Sequence, residues 1–375
     1  MKLSKPYHIK DFKFLLVLSV LALSIIGVLA VGSAEPSSQM KQIIGIIMGI
    51  IVMLIISMID YEWLLNLYWL IYGFNLLLLL YVHFFGMELN GAKRWINLGF
   101  TTLQPSDFTK IFMILFFAKF LMNHEARMKE PLTIVKSVLL IAPSLLLIYK
   151  QPNLSNTLCI AALFCILMYI GGLSYKFIGT ALAIAIPAAI IVVSIAVMPN
   201  QPFLKEYQQK RILAWLEPEK YADDTAYQQQ NSIMAIGSGQ LKGKLSGKGY
   251  NNDDTTSVKN GNFVSEPQTD FIFAIIGEEL GFVGCCIVII LLLLIVIQCI
   301  LIGLRAQNLA GRIICGGVAA LIAIQSFINI GVATGVLPNT GLSLPFVSAG
   351  LTSIVCFYMG IGFVLNVGLQ PKKYQ

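Results

Sequence analysis

Charged side chains are scarce in this sequence. They make up 12% of its 375 residues, about half of the share that a soluble domain usually carries. Hydrophobic residues, in contrast, make up 57%. This balance excludes an ordinary soluble domain and indicates a membrane protein that crosses the bilayer several times.

Metal-binding, disulfide and nucleotide-binding patterns are also missing. The three histidines are scattered and fit no ligand spacing. None of the seven cysteines forms a CxxC pair, and all lie within predicted membrane spans, where a thiol behaves as a small hydrophobic group. The sequence has no Walker A loop and no basic patch interleaved with aromatic residues, so we predict no P-loop nucleotide site and no nucleic-acid binding.

Long apolar runs take the place of the missing charge. They predict an all-α polytopic membrane protein with ten transmembrane helices, in a single membrane domain over residues 1–375. The predicted spans are 12–33, 41–59, 63–85, 106–123, 134–149, 153–171, 176–198, 268–304, 311–336 and 345–367. The eighth span is too long for one simple crossing, so we expect it to tilt or to project from the membrane.

Basic residues next to the spans predict the orientation. With ten spans they all fall on one side, which the positive-inside rule makes cytoplasmic. They are Lys2, Lys5, Lys10, Lys13, Arg127, Lys129, Lys136, Lys176, Arg305, Arg312, Lys372 and Lys373. Both termini are therefore predicted in the cytoplasm, and the net charge of +7 favours contact with anionic membrane lipids. The polar insertion 199–267 is predicted as one large outer loop, with YQQKRILAWLEPEKY as an interfacial amphipathic helix.

The segment FVSEPQTDFIFAIIGEELG places acidic residues at the mouth of the eighth span. A carboxylate at the rim of a membrane span is costly to desolvate, and it is therefore a functional-site candidate. Because Pro267 suits the first turn of a helix, we expect Asp270 about one turn inside that helix, near the outer rim of the bilayer. The alternative is that Glu266 and Asp270 only cap the helix and favour its positive end.

Two further outer segments carry candidates for binding an anionic headgroup. Lys93 and Arg94 suit phosphate or pyrophosphate, because Arg offers a planar fork and Lys a point charge. The neighbouring Trp95 is equally an ordinary interfacial anchor. Asp107 and Lys110 lie three residues apart on one helical face. They form either a polar pair that lines a cavity or an acid that neutralises a buried lysine.

The large loop adds more cations. Arg211 in KRILAWL and Lys242 in the Gly-rich QLKGKLSGKG can contact phosphates, although lysines of this kind are often simply solvated. The connection PNTGLSLP (338–345), with two prolines and a glycine, is stiff enough to be a wall or a lid. All of these motifs face the same predicted side, which places the chemistry at the outer leaflet.

Taken together, the segments KRWINLG, QPSDFTK, YQQQNSIMAIGSGQLKGK, FVSEPQTDFIFAIIGEELGFVG and LPNTGLSLPFVSAG resemble the SEDS proteins of shape, elongation, division and sporulation, most of all their RodA branch. The resemblance spans nearly the whole chain. It implies a peptidoglycan glycosyltransferase that polymerises lipid II, the undecaprenyl-pyrophosphate-linked disaccharide peptide, at the outer face of the bacterial cytoplasmic membrane. It also implies a class B penicillin-binding protein as partner. The acid of TDFIF, Asp270, is implied as the essential residue, and its carboxylate can serve as general base.

By the same resemblance, Lys93, Arg94 and Trp95 flank the lipid-substrate cavity, and Asp107 with Lys110 supports it. No cofactor is certain, and a divalent cation such as Mg²⁺ or Mn²⁺ beside the pyrophosphate stays open. Two alternative functions also stay open: a lipid II flippase, and a non-catalytic scaffold that recruits the penicillin-binding protein. The clustering of motifs on one side favours the enzyme, because a flippase needs comparable headgroup contacts on both faces.

Overall fold

The structure is a computed structural model that describes residues 12–89, 92–97, 99, 102–198, 201, 206–221, 226–246 and 267–370. Within these residues the chain forms thirteen α-helices and a small antiparallel sheet of three strands in the order β1–β2–β3. The helices are α1 (Phe14–Ala34), α2 (Pro36–Met58), α3 (Tyr61–Leu65), α4 (Tyr68–Phe85), α5 (Pro105–Asn123), α6 (Pro131–Lys150), α7 (Leu154–Ile170), α8 (Tyr175–Val197), α9 (Glu206–Leu216), α10 (Tyr227–Ser238), α11 (Ile272–Leu304), α12 (Leu309–Ala333) and α13 (Leu351–Leu369). The strands are β1 (Met87–Leu89), β2 (Ala92–Asn97) and β3 (Thr102–Leu103).

Seven helices in the described part of the chain are long and apolar enough to cross a membrane: α1, α2, α4, α6, α11, α12 and α13. The shorter α7 is apolar as well. Each of the ten predicted spans contains a helix, which confirms the all-α membrane architecture. The count of ten crossings and the single domain stay predictions. The third predicted span is interrupted after Leu65, where α3 ends before α4 begins.

Helices α12 and α13 lie at the centre of the bundle. In their most apolar windows 67% and 78% of the residues are buried, against 22% for the peripheral α4. Helix α13 packs along α2, and Gly49 allows this close approach because a Cβ there would lie 2.6 Å from the ring of Tyr358. Small residues at helix contacts are typical of membrane proteins, where lipid offers no hydrophobic drive between helices and close packing has to replace it.

The eighth predicted span, α11, is broken rather than simply tilted. Gly281 has φ 66° and ψ −163°, which are not helical values, and it divides α11 into two segments. The turn after α10 lies against this break. The N–H groups of Phe282 and Val283 donate to the carbonyl oxygens of Gln240 and Leu241 at 2.8 and 3.2 Å. Backbone from the large loop thus satisfies amides that the helix leaves unpaired, as burial in a membrane protein requires.

Replacing Gly281 by Ala is expected to destabilise the protein. The left-handed φ disfavours a side chain at a cost of about 1–3 kcal/mol, and the new Cβ would lie 2.3 Å from the backbone nitrogen of Gly243. The melting temperature of the purified protein in detergent should therefore fall by several degrees. Gly179→Ala in α8 is the matched control, because a Cβ there meets no atom within 4 Å. Equal melting temperatures for the two variants would contradict the close packing of the turn after α10 against Gly281.

A polar layer covers one end of the bundle, which we call the loop-bearing end. It comprises the sheet, α9, α10 and the α12–α13 connection (334–350). Helix α9 confirms the helix predicted in the large loop. Helix α10 docks on the end of α12, where the Gln229 amide donates to the carbonyl oxygens of Val332 and Leu337 at 2.8 and 2.7 Å. The large loop therefore holds the α12–α13 connection in place.

Candidate active site

Asp270 lies in the turn that precedes α11, with its side chain half-buried. The prediction that a helix begins near Pro267 and contains Asp270 is wrong, because α11 begins at Ile272. The carbonyl of Gln268, which would accept a helical hydrogen bond, instead accepts from the N–H of Ala349 at 2.8 Å. A tertiary contact thus overrides the local helix propensity of this segment.

Two more carbonyls of this turn accept tertiary hydrogen bonds. The carbonyl of Thr269 accepts from the Ser348 hydroxyl at 2.6 Å, and that of Asp270 accepts from the side-chain amide of Asn329 at 2.8 Å. The same Asn329 nitrogen also donates to the carbonyl of Leu342 at 2.7 Å, and the residue is only 1% exposed. Asn329 therefore fastens both the Asp270 turn and the α12–α13 connection to α12.

The α12–α13 connection runs directly beside the acid. A Cβ added to Gly341, which has φ +69°, would lie 3.2 Å from Asp270 Oδ2. The Ser155 hydroxyl at the start of α7 donates to the carbonyl of Thr340 at 2.6 Å, and this bond fixes the connection from its other side. The connection thus forms a wall next to the carboxylate, one of the two roles that its prolines and glycine predicted.

Asp107 and Lys110 form an ion pair inside the bundle. The Nζ of Lys110 lies 2.9 Å from Asp107 Oδ1, and the lysine is only 2% exposed. The same Nζ donates to Gln325 Oε1 at 3.1 Å, and Gln325 Nε2 donates to the carbonyl of Ser343 at 3.4 Å. The pair lines a narrow cleft between α5, α12 and α13. Hydrogen bonds through Gln325 therefore link the Asp107–Lys110 pair to the α12–α13 connection, which flanks Asp270.

Gln325 and Asn329 are absent from the residues that sequence motifs predict for this site. They lie four residues apart on α12, so they share one face about one helical turn, or roughly 5.4 Å, apart. Their signal in the sequence is the pair of amides within the apolar run LIAIQSFINIG. Polar side chains inside a span usually face the bundle interior. Together these amides link the Asp107–Lys110 pair to the Asp270 turn.

Replacing Asn329 by Leu, which keeps the branched shape but has no hydrogen-bond donor, is expected to lower stability by about 1–3 kcal/mol for each buried carbonyl left without its partner. Thermal unfolding of the purified protein measures this loss. Ser326→Ala is the control on the same helix, because the buried Ser326 hydroxyl has no hydrogen-bond partner among the described residues. If Asn329→Leu melted at the temperature of Ser326→Ala, the fastening role of Asn329 would be wrong.

The three interfacial candidates lie on β2. Lys93 is exposed and Trp95 is half-buried. The Arg94 guanidinium donates to the carbonyl of Gln151 at 3.1 Å and to that of Pro152, so it positions the turn between α6 and α7. The contact of these three residues with substrate stays a prediction.

The remaining candidates lie in or near the large loop. Arg211 donates to the carbonyl of Asn339, in the α12–α13 connection, at 3.4 Å. Lys242 is exposed in the turn after α10. Glu266 lies outside the described residues. In the ranges that the structure describes, no three His, Cys, Asp or Glu side chains come together as metal ligands. A divalent cation beside the pyrophosphate stays a prediction.

Two acids of the GEELG segment serve the fold. Glu278 is 2% exposed, and its Oε1 lies 2.5 Å from the Nζ of Lys244 in the turn after α10. The carboxylate of Glu279 accepts a hydrogen bond from the Ser33 hydroxyl. These contacts tie α11 to the large loop and to α1 beside the break at Gly281.

Comparison with known sequences identifies relatives over almost the full length. A family model described as cell cycle protein, covering the FtsW, RodA and SpoVE proteins, matches residues 8–373. The chain is 31% identical over 371 residues to the peptidoglycan glycosyltransferase MrdB of Escherichia coli K12, covering 97% of this chain and 95% of that protein. It is also 31% identical over 391 residues to a probable peptidoglycan glycosyltransferase FtsW of Trichlorobacter lovleyi, covering 99% and 96%.

Solved structures share the fold. A chain from a peptidoglycan synthase complex, studied for the coordination of polymerization and crosslinking, matches with a TM-score of 0.77 and 28% identity, covering 95% of this chain and 97% of that one. The rod shape determining protein RodA of Thermus thermophilus matches with a TM-score of 0.69 and 25% identity, covering 95% and 96%. This chain therefore belongs to the FtsW, RodA and SpoVE family, as its resemblance to the SEDS proteins predicted.

Proposed function

We propose that this protein is a peptidoglycan glycosyltransferase that polymerises lipid II into glycan strands, with Asp270 as general base. The observation that carries the proposal is a half-buried carboxylate in a turn held by tertiary hydrogen bonds at the loop-bearing end. The relatives named peptidoglycan glycosyltransferases support the activity. In this proposal the loop-bearing end faces the outside of the bacterial cytoplasmic membrane, and both termini face the cytoplasm.

In the proposed reaction, the 4-hydroxyl of an incoming sugar attacks the anomeric carbon of a glycan attached to lipid pyrophosphate. A new C–O bond forms at that carbon as its bond to the pyrophosphate oxygen breaks, and the lipid pyrophosphate leaves. The Asp270 carboxylate takes the hydroxyl proton, a role that general bases fill for about 10²–10⁴-fold in rate. Because the turn is already held in place, little reorganisation is needed when the substrate arrives.

The leaving pyrophosphate is strongly anionic and needs cationic partners. Arg211, Lys242 and Lys93 are the residues proposed to supply them from the loop-bearing end. Asp107 and Lys110 neutralise one another inside the bundle, so the role proposed for them is to support the site through α12.

A class B penicillin-binding protein is the proposed partner. One structural relative belongs to a peptidoglycan synthase complex in which polymerization and crosslinking are coordinated. A polymerase that releases uncrosslinked strands requires such a second activity nearby. The proposed pairing therefore brings strand synthesis and crosslinking into one complex.

Reconstitution in liposomes with fluorescent lipid II distinguishes the three candidate functions. We expect the purified protein, with its partner present and the partner's crosslinking serine replaced, to convert lipid II into glycan strands. Translocation of lipid II across the bilayer without strand formation would instead identify a flippase. Neither strands nor translocation would identify a scaffold, and either result would reject the proposed enzyme.

A further inference from the structure

A second pocket lies at the loop-bearing end, between the last turns of α4 and α6 and the hairpin β1–β2. It has a volume of about 230 Å³ and is lined by His83, Glu88, Lys93, Lys150, Gln151 and Pro152. Pockets that enclose a whole drug-sized ligand usually measure about 300–1,000 Å³. This one suits a small polar group, such as the headgroup of a lipid whose chains remain in the bilayer.

Two lysines converge on this pocket. None of the ion pairs seen among the described residues involves Lys93 or Lys150. Glu88 stands opposite Lys93 in the β1–β2 register, but it does not pair with either lysine. Two ammonium groups that line one pocket repel each other, and an anion between them would be attracted by both. With the Glu88 carboxylate counted against the two lysines, the lining keeps a net charge of +1, so the pocket favours an anionic ligand, and the nearby His83 ring offers a further hydrogen-bonding group.

The pocket lies at the edge of the membrane-spanning region. Tyr81 and Phe85 on α4 and Tyr149 on α6 are 50%, 75% and 51% exposed near the ends of their helices. Aromatic side chains in such positions are typical of the bilayer–water interface. Lysines at this depth meet the phosphates of lipid headgroups. A lipid phosphate is therefore the anion expected at the depth of this pocket.

The turn between α6 and α7 connects this pocket to the candidate active site. Gln151 and Pro152 line the pocket, and Arg94 holds the carbonyls of both. Three residues beyond Pro152, Ser155 bonds to Thr340 in the wall beside the candidate base. A headgroup in the pocket would therefore sit against the same short turn that fixes this wall.

We propose that this pocket binds the phosphate of a membrane-lipid headgroup through Lys93 and Lys150. An anionic phospholipid and a polyprenyl pyrophosphate present the same chemistry to the two lysines, and either can supply the phosphate. The pocket shares Lys93 with the cations proposed for the leaving pyrophosphate, so its pyrophosphate arm rests on the proposed function, whereas lipid binding itself does not require Asp270 to act as base.

Native mass spectrometry of the full-length protein in detergent tests the site, with phosphatidylglycerol and undecaprenyl pyrophosphate added in separate titrations. We expect Lys93→Gln/Lys150→Gln to bind at least one of these lipids on the order of tenfold more weakly than wild type. Lys129→Gln/Lys136→Gln is the matched control, because it removes the same charge from exposed lysines at the other end of the bundle. Because basic residues on that side also meet anionic lipid, this control measures the loss that follows from removing two interfacial charges, and Lys93→Gln/Lys150→Gln should lose clearly more.

The two titrations also identify the source of the phosphate. Weaker binding of phosphatidylglycerol alone supports a phospholipid site, and weaker binding of the pyrophosphate alone supports a site for the substrate lipid. Lys93→Arg/Lys150→Arg should keep the affinity, because arginine retains the charge. Unchanged binding of both lipids by Lys93→Gln/Lys150→Gln would overturn the proposal. If the wild-type protein did not polymerise lipid II but Lys93→Gln/Lys150→Gln still bound lipid more weakly than wild type, the reaction proposed for Asp270 would be rejected and the pocket would stand.

Discussion

Replacing Asp270 by Asn should lower lipid II polymerisation by the purified protein by about 10²–10⁴-fold, because an amide cannot take the proton of the attacking hydroxyl. The fold should survive, since backbone carbonyls of Gln268, Thr269 and Asp270 itself accept the hydrogen bonds that hold the turn. Gel separation of the glycan products measures the rate, and the melting temperature reports the fold.

Glu35→Gln is the control for this substitution. Glu35 is a half-buried carboxylate between α1 and α2, and its side chain accepts a hydrogen bond from the hydroxyl of Ser37. Its neutralisation should leave polymerisation near the wild-type rate. Comparable losses in the two variants would show that general loss of negative charge, and not the carboxylate of Asp270, accounts for the effect.

Lys110→Met should have the second largest effect, on stability as well as activity. It leaves the Asp107 carboxylate, whose side chain is only 13% exposed, without its ion-pair partner in a narrow cleft of the bundle. Removing one partner of a buried pair typically costs about 3–5 kcal/mol. The variant also loses the hydrogen bond to Gln325, so the α12–α13 connection should be held less firmly. Thermal unfolding and the polymerisation assay measure the two losses.

The double variant Asp107→Leu/Lys110→Met separates charge from positioning. It has no unpaired buried charge, so its melting temperature should recover most of the way to that of wild type. Its activity should stay low, because the hydrogen bond from Lys110 to Gln325 is still missing. A double variant that melts no higher than Lys110→Met would contradict the description of Asp107 and Lys110 as a mutually neutralising pair.

The sequence predicts the helices well and the Asp270 turn poorly, for a physical reason. Hydropathy is a local property, so the apolar runs correspond to helices. The start of α11 depends instead on Ser348, Ala349 and Asn329, which are distant in sequence and take the carbonyls that would otherwise start the helix. The break at Gly281 likewise depends on backbone from the large loop. The local sequence pattern predicts neither the residues that hold the Asp270 turn nor the loop backbone that pairs with the break at Gly281.

The same distinction applies to the candidate site. Asp107 and Lys110 are predictable as a pair because they lie three residues apart on one helix. The spacing of Gln325 and Asn329 indicates that they share a face of α12. It does not indicate which groups they bind. Their partners, Lys110 and the backbone of the Asp270 turn, come from two other segments. Which side chains meet is therefore decided by packing between helices.

The rate of polymerisation at saturating lipid II tests the role of Asp270 most directly, when wild type and Asp270→Asn are compared after lipid II binding has been measured on the same samples. If the carboxylate takes the hydroxyl proton, Asp270→Asn will bind lipid II like wild type, yet form glycosidic bonds about 10²–10⁴-fold more slowly. Strand formation at the wild-type rate once the substrate is saturating would show that Asp270 serves binding rather than chemistry.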